Sequence, residues 1–207
     1  MSGEAFNTPT VNPPRFAEAL RRFDEANAED PISESFEGKS WPRELLYAHR
    51  LYEWVHRLTP AASEPLLLAA RCQHICRWMI PREQYPMTRE GYLKWRTKLK
   101  EFHARKAGEI LKSVGYPDEL VQRVQELNLK KNFPRDPESR VLEDALCLVF
   151  LQYQFGGLAK KTSDEKMVNA LRKSWHKMTD AARQEALNLG FSENEKRLLN
   201  LALDNKG

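Results

Sequence analysis

The stretch ESRVLEDALCLVFLQYQF, residues 138–155, is apolar on nearly every side when wound as a helix. Such a helix has no face to give to water, so it belongs at the centre of a fold with other elements packed around it. Helical periodicity dominates the rest of the chain, and few segments alternate as strands do. The expectation is an all-α protein, a compact multi-helix bundle of about nine helices.

The surrounding helices can be placed from their start and stop signals. A first helix is expected from about Arg15 to Asn27, with Phe16, Leu20 and Phe23 on one face. The stretch EDPISESFEGKSWP reads as a loop. Pro42 opens the second helix, RELLYAHRLYEWVHRL, which ends near Thr59-Pro60. Ser63 caps a third, expected to run through RCQHICRW to about Ile80. After a turn-rich link, Thr88 caps a long fourth helix that stops at Gly115. Pro117 opens a fifth, up to about Lys131, and FPRDP breaks the chain before the central helix. Gly156-Gly157 loosens the end of that helix. Shorter helices start at Ser163, Thr179 and Ser192, the last with Glu195 completing a capping box. Residues 1–14 are polar and Pro-rich and read as a disordered lead-in. Residues 15–207 read as a single helical domain, its C-terminal helices over 159–207 forming a lid or small subdomain.

A chain of 207 residues can bury a core without help from a disulfide or a structural metal. Its net charge of +4 is too small to argue for nucleic acid. The charge is unevenly spread, however. Arg71–Lys106 holds ten Lys/Arg against three Asp/Glu, a net +7 that leaves −3 for the remainder. Such a patch attracts phosphate or carboxylate groups, or is simply a solvated helix face. Three cysteines with no secretory signal point to reduced thiols in the cytoplasm. No apolar run approaches the roughly 18 residues of a membrane span, so no membrane partner is expected.

Titratable residues at positions where the helical period demands core are the candidate site. His74 shares a stripe with Leu67, Ala70 and Trp78, and His103 with Leu99, Phe102, Ala107 and Ile110. His49 lies with Leu45 and Tyr52, and Asp144 with Val141, Leu148 and Leu151. A buried Asp needs a partner. Three His and one Asp from four helices can converge inside a bundle as ligands of one divalent transition metal, Mn, Fe, Ni or Zn. The bland alternative for each His is a hydrogen-bonded core residue. Cys72 and Cys76 have no second Cys pair to complete a zinc site, and with Cys147 they read as small core residues. His56 and His176 look exposed and take no role.

The segment WMIPREQYPMTREGYLKWR interleaves Arg with Trp78, Tyr85, Tyr92 and Trp95. Arg77, Arg82, Arg89 and Arg96 are the candidate anion-binding residues, because a guanidinium grips carboxylate or phosphate with two hydrogen bonds. Glu53, one turn after His49, and Glu143 are candidate general bases.

FDEANAEDP, ELLYAHRLYEW, AARCQHICRW, REGYLKWRTKLKEFHARKAGEIL and LEDALCLVFL resemble the uncharacterised domain-of-unknown-function family 4202 over roughly Arg15–Leu203. That resemblance implies no activity. A more distant one, over about His49–Leu151, is to the HD-domain superfamily of metal-dependent phosphohydrolases. LYAHRLYEWV resembles the helix carrying the superfamily's first His, FHARKAGEILKSVG a following helix, and LEDALCL the helix with its final Asp. The resemblance implies an HD-like core over about 42–158, with His49, His103 and Asp144 as ligands. It departs at the diagnostic pair, where Gln73-His74 stands for His-Asp; with a one-residue slip, Ile75 stands for the Asp. The bridging carboxylate is missing, which leaves at most a mononuclear site.

Two functions from different classes are expected on these grounds. One is a mononuclear metal-dependent hydrolase acting on a small anionic substrate, phosphorylated or nucleotide-like. The other is a non-catalytic module binding a nucleotide, RNA or a protein through an Arg-rich pocket, with no metal if the site is degenerate. Redox chemistry at iron in a related helical site is a third.

Overall fold

The computed structural model describes residues 13–204. Most of the expected lead-in therefore lies outside the described residues, and Pro13 and Pro14 already belong to helix α1 (Pro13–Ala28). After it comes a small antiparallel hairpin, with β1 (Ser33–Phe36) paired to β2 (Lys39–Pro42). The sequence reads here as loop, and the structure corrects it. Glu37 and Gly38, between SESF and KSWP, have φ of 51° and 75°. Positive φ at both central residues is the geometry that closes a two-residue hairpin.

The remaining helices are α2 (Arg43–Leu58), α3 (Glu64–Cys72), α4 (Arg89–Ser113), α5 (Asp118–Leu129), α6 (Pro137–Val149), α7 (Phe155–Ala159), α8 (Asp164–Lys177), α9 (Asp180–Leu187) and α10 (Glu193–Leu203). The protein is thus all-α, with ten α-helices and one two-stranded sheet among the described residues. The expected central helix is α6, which packs against α2, α3, α5, α8 and α9. Leu142, Ala145, Leu148 and Val149 are at most 1% exposed, each large apolar side chain contributing about 2 kcal/mol on burial. Between α6 and α7 the backbone widens into a π-helical segment, Phe150–Gln154. The wider turn shifts the register, and such segments recur where a helix serves a site.

The caps form where the sequence places them. Ser63 accepts from Leu66 N–H, Thr88 from Gly91 N–H, and Thr179 from Ala182 N–H. Ser192 and Glu195 form the capping box. Gly91 is obligatory, since a Cβ there would lie 2.1 Å from the Pro86 carbonyl oxygen.

One helix end differs from expectation in a way that matters. α3 stops at Cys72 instead of continuing to about Ile80. Residues 73–76 form a turn, with Cys76 left-handed at φ 51°. The Cys76 N–H donates to the Oδ1 of Asn27, at 3.0 Å. Asn27 is buried at the end of α1 and replaces the carbonyl acceptor that a continuing helix would have supplied. The turn releases Gln73 and His74 from the helical stripe. No helix among the described residues is long and apolar enough to cross a membrane.

Candidate anion-binding cavity

A cavity of about 850 Å³ opens between α2, the 73–77 turn, α4, α6 with its π segment, and the end of α8. That volume suits a small organic ligand. Two helix faces supply much of its charged wall. On α2 they are Arg43, Glu44, Tyr47 and Arg50; on α4, Tyr92, Arg96, Leu99, Lys100 and His103. Both sets keep the three- and four-residue spacing of one helical side. Lys130 enters from the end of α5, Glu143 from α6 and Lys177 from the last turn of α8.

The lining carries eight cations, Arg43, Arg50, Arg77, Arg96, Lys100, Lys130, Lys161 and Lys177, against the carboxylates of Glu34, Glu44 and Glu143. Most of the negative charge is already engaged. Glu34 accepts from Arg50 at 2.6 Å, and the Arg50 guanidinium lies against the rings of Phe36 and Tyr153. Glu143 accepts from Lys130 and, at 3.1 Å, from Lys177. Burial opposes its charge, but the two ammonium groups prevail and hold the carboxyl below its ordinary range. Among the described residues Arg96, Lys100 and Lys161 have no carboxylate partner. Burial together with Lys130 and Arg96 lowers the Lys100 ammonium. Crowded cations of this kind are stabilised by an anion.

The basic stretch around α4 therefore divides by face. Lys94, Lys98 and Arg105, on the outside, pair with Glu90, Glu101 and Glu109. Arg96 and Lys100 turn inward to the cavity. Arg77 joins them, its guanidinium 4.9 Å from the Trp95 ring centroid, and Trp95 is fixed by donating to the Ile80 carbonyl at 2.8 Å.

Three further groups shape the inner wall. Glu44 is 4% exposed, with its carboxylate 3.4 Å from Arg43, 3.8 Å from His74 Nδ1 and 4.0 Å from Arg77. Burial pushes its carboxyl up to about 7, against the pull of Arg77 and Arg43. His74 is held well below 6.5, first by burial and then by Arg77 and His103, so it is neutral. His103 is pulled down to about 4 by burial, with Arg77 and Arg96 adding to it. Its Nδ1–H donates to the Ile75 carbonyl at 2.8 Å, which makes Nε2 an acceptor. That Nε2 and Gln73 Oε1 are both buried without a hydrogen-bond partner among the described residues. Each such orphan costs about 1–3 kcal/mol.

The expected site residues are thus separated. His74 and His103 share the cavity, their ring centroids 5.8 Å apart. His49 does not line it: its Nε2 accepts from Arg71 at 2.6 Å, and Arg71 holds Asp24 with two more bonds. Asp144 is also off the cavity, accepting from the Thr179 N–H and hydroxyl at 2.9 and 2.6 Å and so fixing the start of α9. Among the described residues no three of His, Cys, Asp and Glu are grouped to hold a metal ion. The four-ligand arrangement does not fit, because two of its members are engaged elsewhere as hydrogen-bond acceptors.

Of the four candidate arginines, Arg77 and Arg96 line the cavity. Arg82 instead donates to the carbonyls of Tyr85 and Pro86, tying the loop before α4. Arg89 is exposed, as is Glu53. Glu143 lines the cavity as a partner of two lysines, not as a free base. Gln73 is part of the wall. The reading from sequence misses Glu44, Tyr47, Lys130 and Lys177. The first two precede His49 on the polar-bearing side of α2, so the spacing 44–47–50 was the available signal; the two lysines sit at helix ends that only the tertiary fold brings together.

A family model described as "Domain of unknown function (DUF4202)" matches residues 17–199. No curated protein and no solved structure matches the chain.

Proposed function

The chain belongs to this domain-of-unknown-function family, and from the cavity between α2, α4 and α6 we propose that it binds a small polyanionic molecule there, most simply a phosphorylated one. The observation that carries this reading is the excess of cations, eight against three carboxylates, around one concave space. A guanidinium and an ammonium side by side, with part of their water removed, favour phosphate more strongly than either does in bulk water. RNA is less well served, because three outward cations of α4, Lys94, Lys98 and Arg105, are already paired with carboxylates. The three cysteines, free and buried, support a cytoplasmic setting.

Calorimetric titration of the full chain with pyrophosphate tests the reading. Binding should weaken about tenfold or more in Arg96→Ala and Lys100→Ala, since each removes a charge-assisted contact. Arg89→Ala, outside the cavity, should bind as the parent does. Absent binding, or an equal loss in Arg89→Ala, would sink the proposal.

A second reading is that the bound anion is also turned over. Glu44 favours it, because a carboxyl near 7 beside a neutral imidazole suits proton transfer at neutral pH. Turnover abolished in Glu44→Gln with binding kept supports catalysis; turnover retained in that variant removes Glu44 from it.

A further inference from the structure

The inner wall of the cavity constrains the ligand's organic part as well as its charge. Taking the anion-binding reading as its basis, we propose that the ligand is a phosphate ester whose organic part presents neutral hydrogen-bond donors, hydroxyl or N–H, to His103 Nε2 and Gln73 Oε1. His103 cannot turn donor at Nε2 without losing its bond to the Ile75 carbonyl, because the single proton of a neutral imidazole is held at Nδ1. Gln73 Oε1 is an acceptor by nature. Both residues line the cavity, both are at most 4% exposed, and both acceptors are unpartnered among the described residues. Buried polar atoms are normally satisfied, by protein, water or ligand.

The charge around His103 narrows the donor, and the size of the cavity bears on the rest of the ligand. Arg77 and Arg96 lie close enough to depress His103, so an ammonium group on the ligand would be repelled and a neutral donor preferred. The cavity, about 850 Å³, leaves room for an organic body beside a phosphate held by Arg96 and Lys100. A site that matches buried acceptors to a ligand's donors rejects an analogue lacking them.

Inorganic phosphate, ribose 5-phosphate and adenosine monophosphate, titrated against the full chain, separate charge recognition from donor recognition. At least one ester should bind about tenfold tighter than phosphate. A gain for ribose 5-phosphate assigns the donors to hydroxyls; a gain for adenosine monophosphate alone assigns them to the base N–H. Gln73→Leu and His103→Leu should erase that advantage while leaving phosphate affinity within about twofold. Gln73 lies in the turn after α3, outside the helices, so Gln73→Leu carries the test if circular dichroism shows His103→Leu to be unfolded. Phosphate binding with no gain for either ester, or a gain that survives Gln73→Leu, overturns this inference and leaves the anion site standing. No binding of phosphate, pyrophosphate or either ester overturns both.

Discussion

His74 lies nearly flat on Tyr47, with ring centroids 4.4 Å apart and planes 16° from parallel. Burial pushes the Tyr47 phenol up and pulls the His74 imidazole down, so both rings stay uncharged around neutral pH. The stack packs His74 against the wall of the cavity. His74→Phe keeps the stack and should hold phosphate affinity within about threefold. His74→Ala loses it and should lower stability by about 2 kcal/mol in denaturant unfolding. A tenfold loss of phosphate affinity in His74→Phe would instead make the imidazole a partner of the anion.

Glu44 gives the site its own pH signature. Its folded carboxyl titrates near 7 against an ordinary 4.5. Between those values the folded chain holds a proton that the unfolded chain has released. The cost of burying the charge is therefore absent below 4.5, grows up to 7, and is complete above it. Glu44→Gln should be the more stable protein above pH 7, by at most about 3 kcal/mol, with the advantage vanishing toward 4.5. His103 acts oppositely: pulled from 6.5 to about 4, it loses stability as pH falls through that window. It does so in both proteins, so its own titration cancels in the difference in melting temperature, which reads Glu44 with its coupling to His74 and Arg77. A difference that stays flat across the window would contradict this.

Glu143 neutralises Lys130 and Lys177 at the cavity wall. Glu143→Gln should release both ammonium groups, tightening pyrophosphate binding about fivefold or more while lowering stability by about 1–3 kcal/mol. Titration calorimetry and thermal unfolding read the two effects separately. A general base at this position predicts otherwise: lost turnover with binding unchanged.

The fold was legible because its signals are local. The apolar girth of α6, the caps at Ser63, Thr88, Thr179 and Ser192, and the stop at Gly115 are each written within a few residues. The end of α3 was not, because the acceptor that replaces its next carbonyl is Asn27, forty-nine residues upstream. The candidate site was half legible for a similar reason. Periodicity says that His49, His74, His103 and Asp144 face inward, but a bundle has several interiors. His49 instead lies at a partly exposed seam by α1 and α3, where Arg71 and Asp24 meet it; Asp144 faces α9. Of the residues picked out by sequence, Gln73, His74, Arg77, Arg96, His103 and Glu143 share a space with the charges at the ends of α5 and α8.

Asp144 holds α9 through Thr179, which in turn caps that helix. Asp144→Ala strands both donors and should cost about 2 kcal/mol of stability. Phosphate affinity should change by less than about threefold. Unaltered thermal unfolding with binding lost would return Asp144 to the site.

Asn27 tests whether the turn that carries Gln73 and His74 is set from outside the cavity. Its side chain does not line that space, yet it is the acceptor for Cys76, whose left-handed backbone closes the turn after α3. A left-handed non-glycine residue costs on the order of 1 kcal/mol and persists only where neighbours enforce it. Asn27→Ala leaves the Cys76 N–H buried and unpaired, at about 1–3 kcal/mol. Asn27→Asp keeps an acceptor at the same place. The alanine variant should melt lower and bind ribose 5-phosphate less tightly than the parent, by about threefold or more, while the aspartate variant retains most of the affinity. Equal affinity in parent and alanine variant would mean that the α4 and α2 faces hold Gln73 and His74 without the bond from α1.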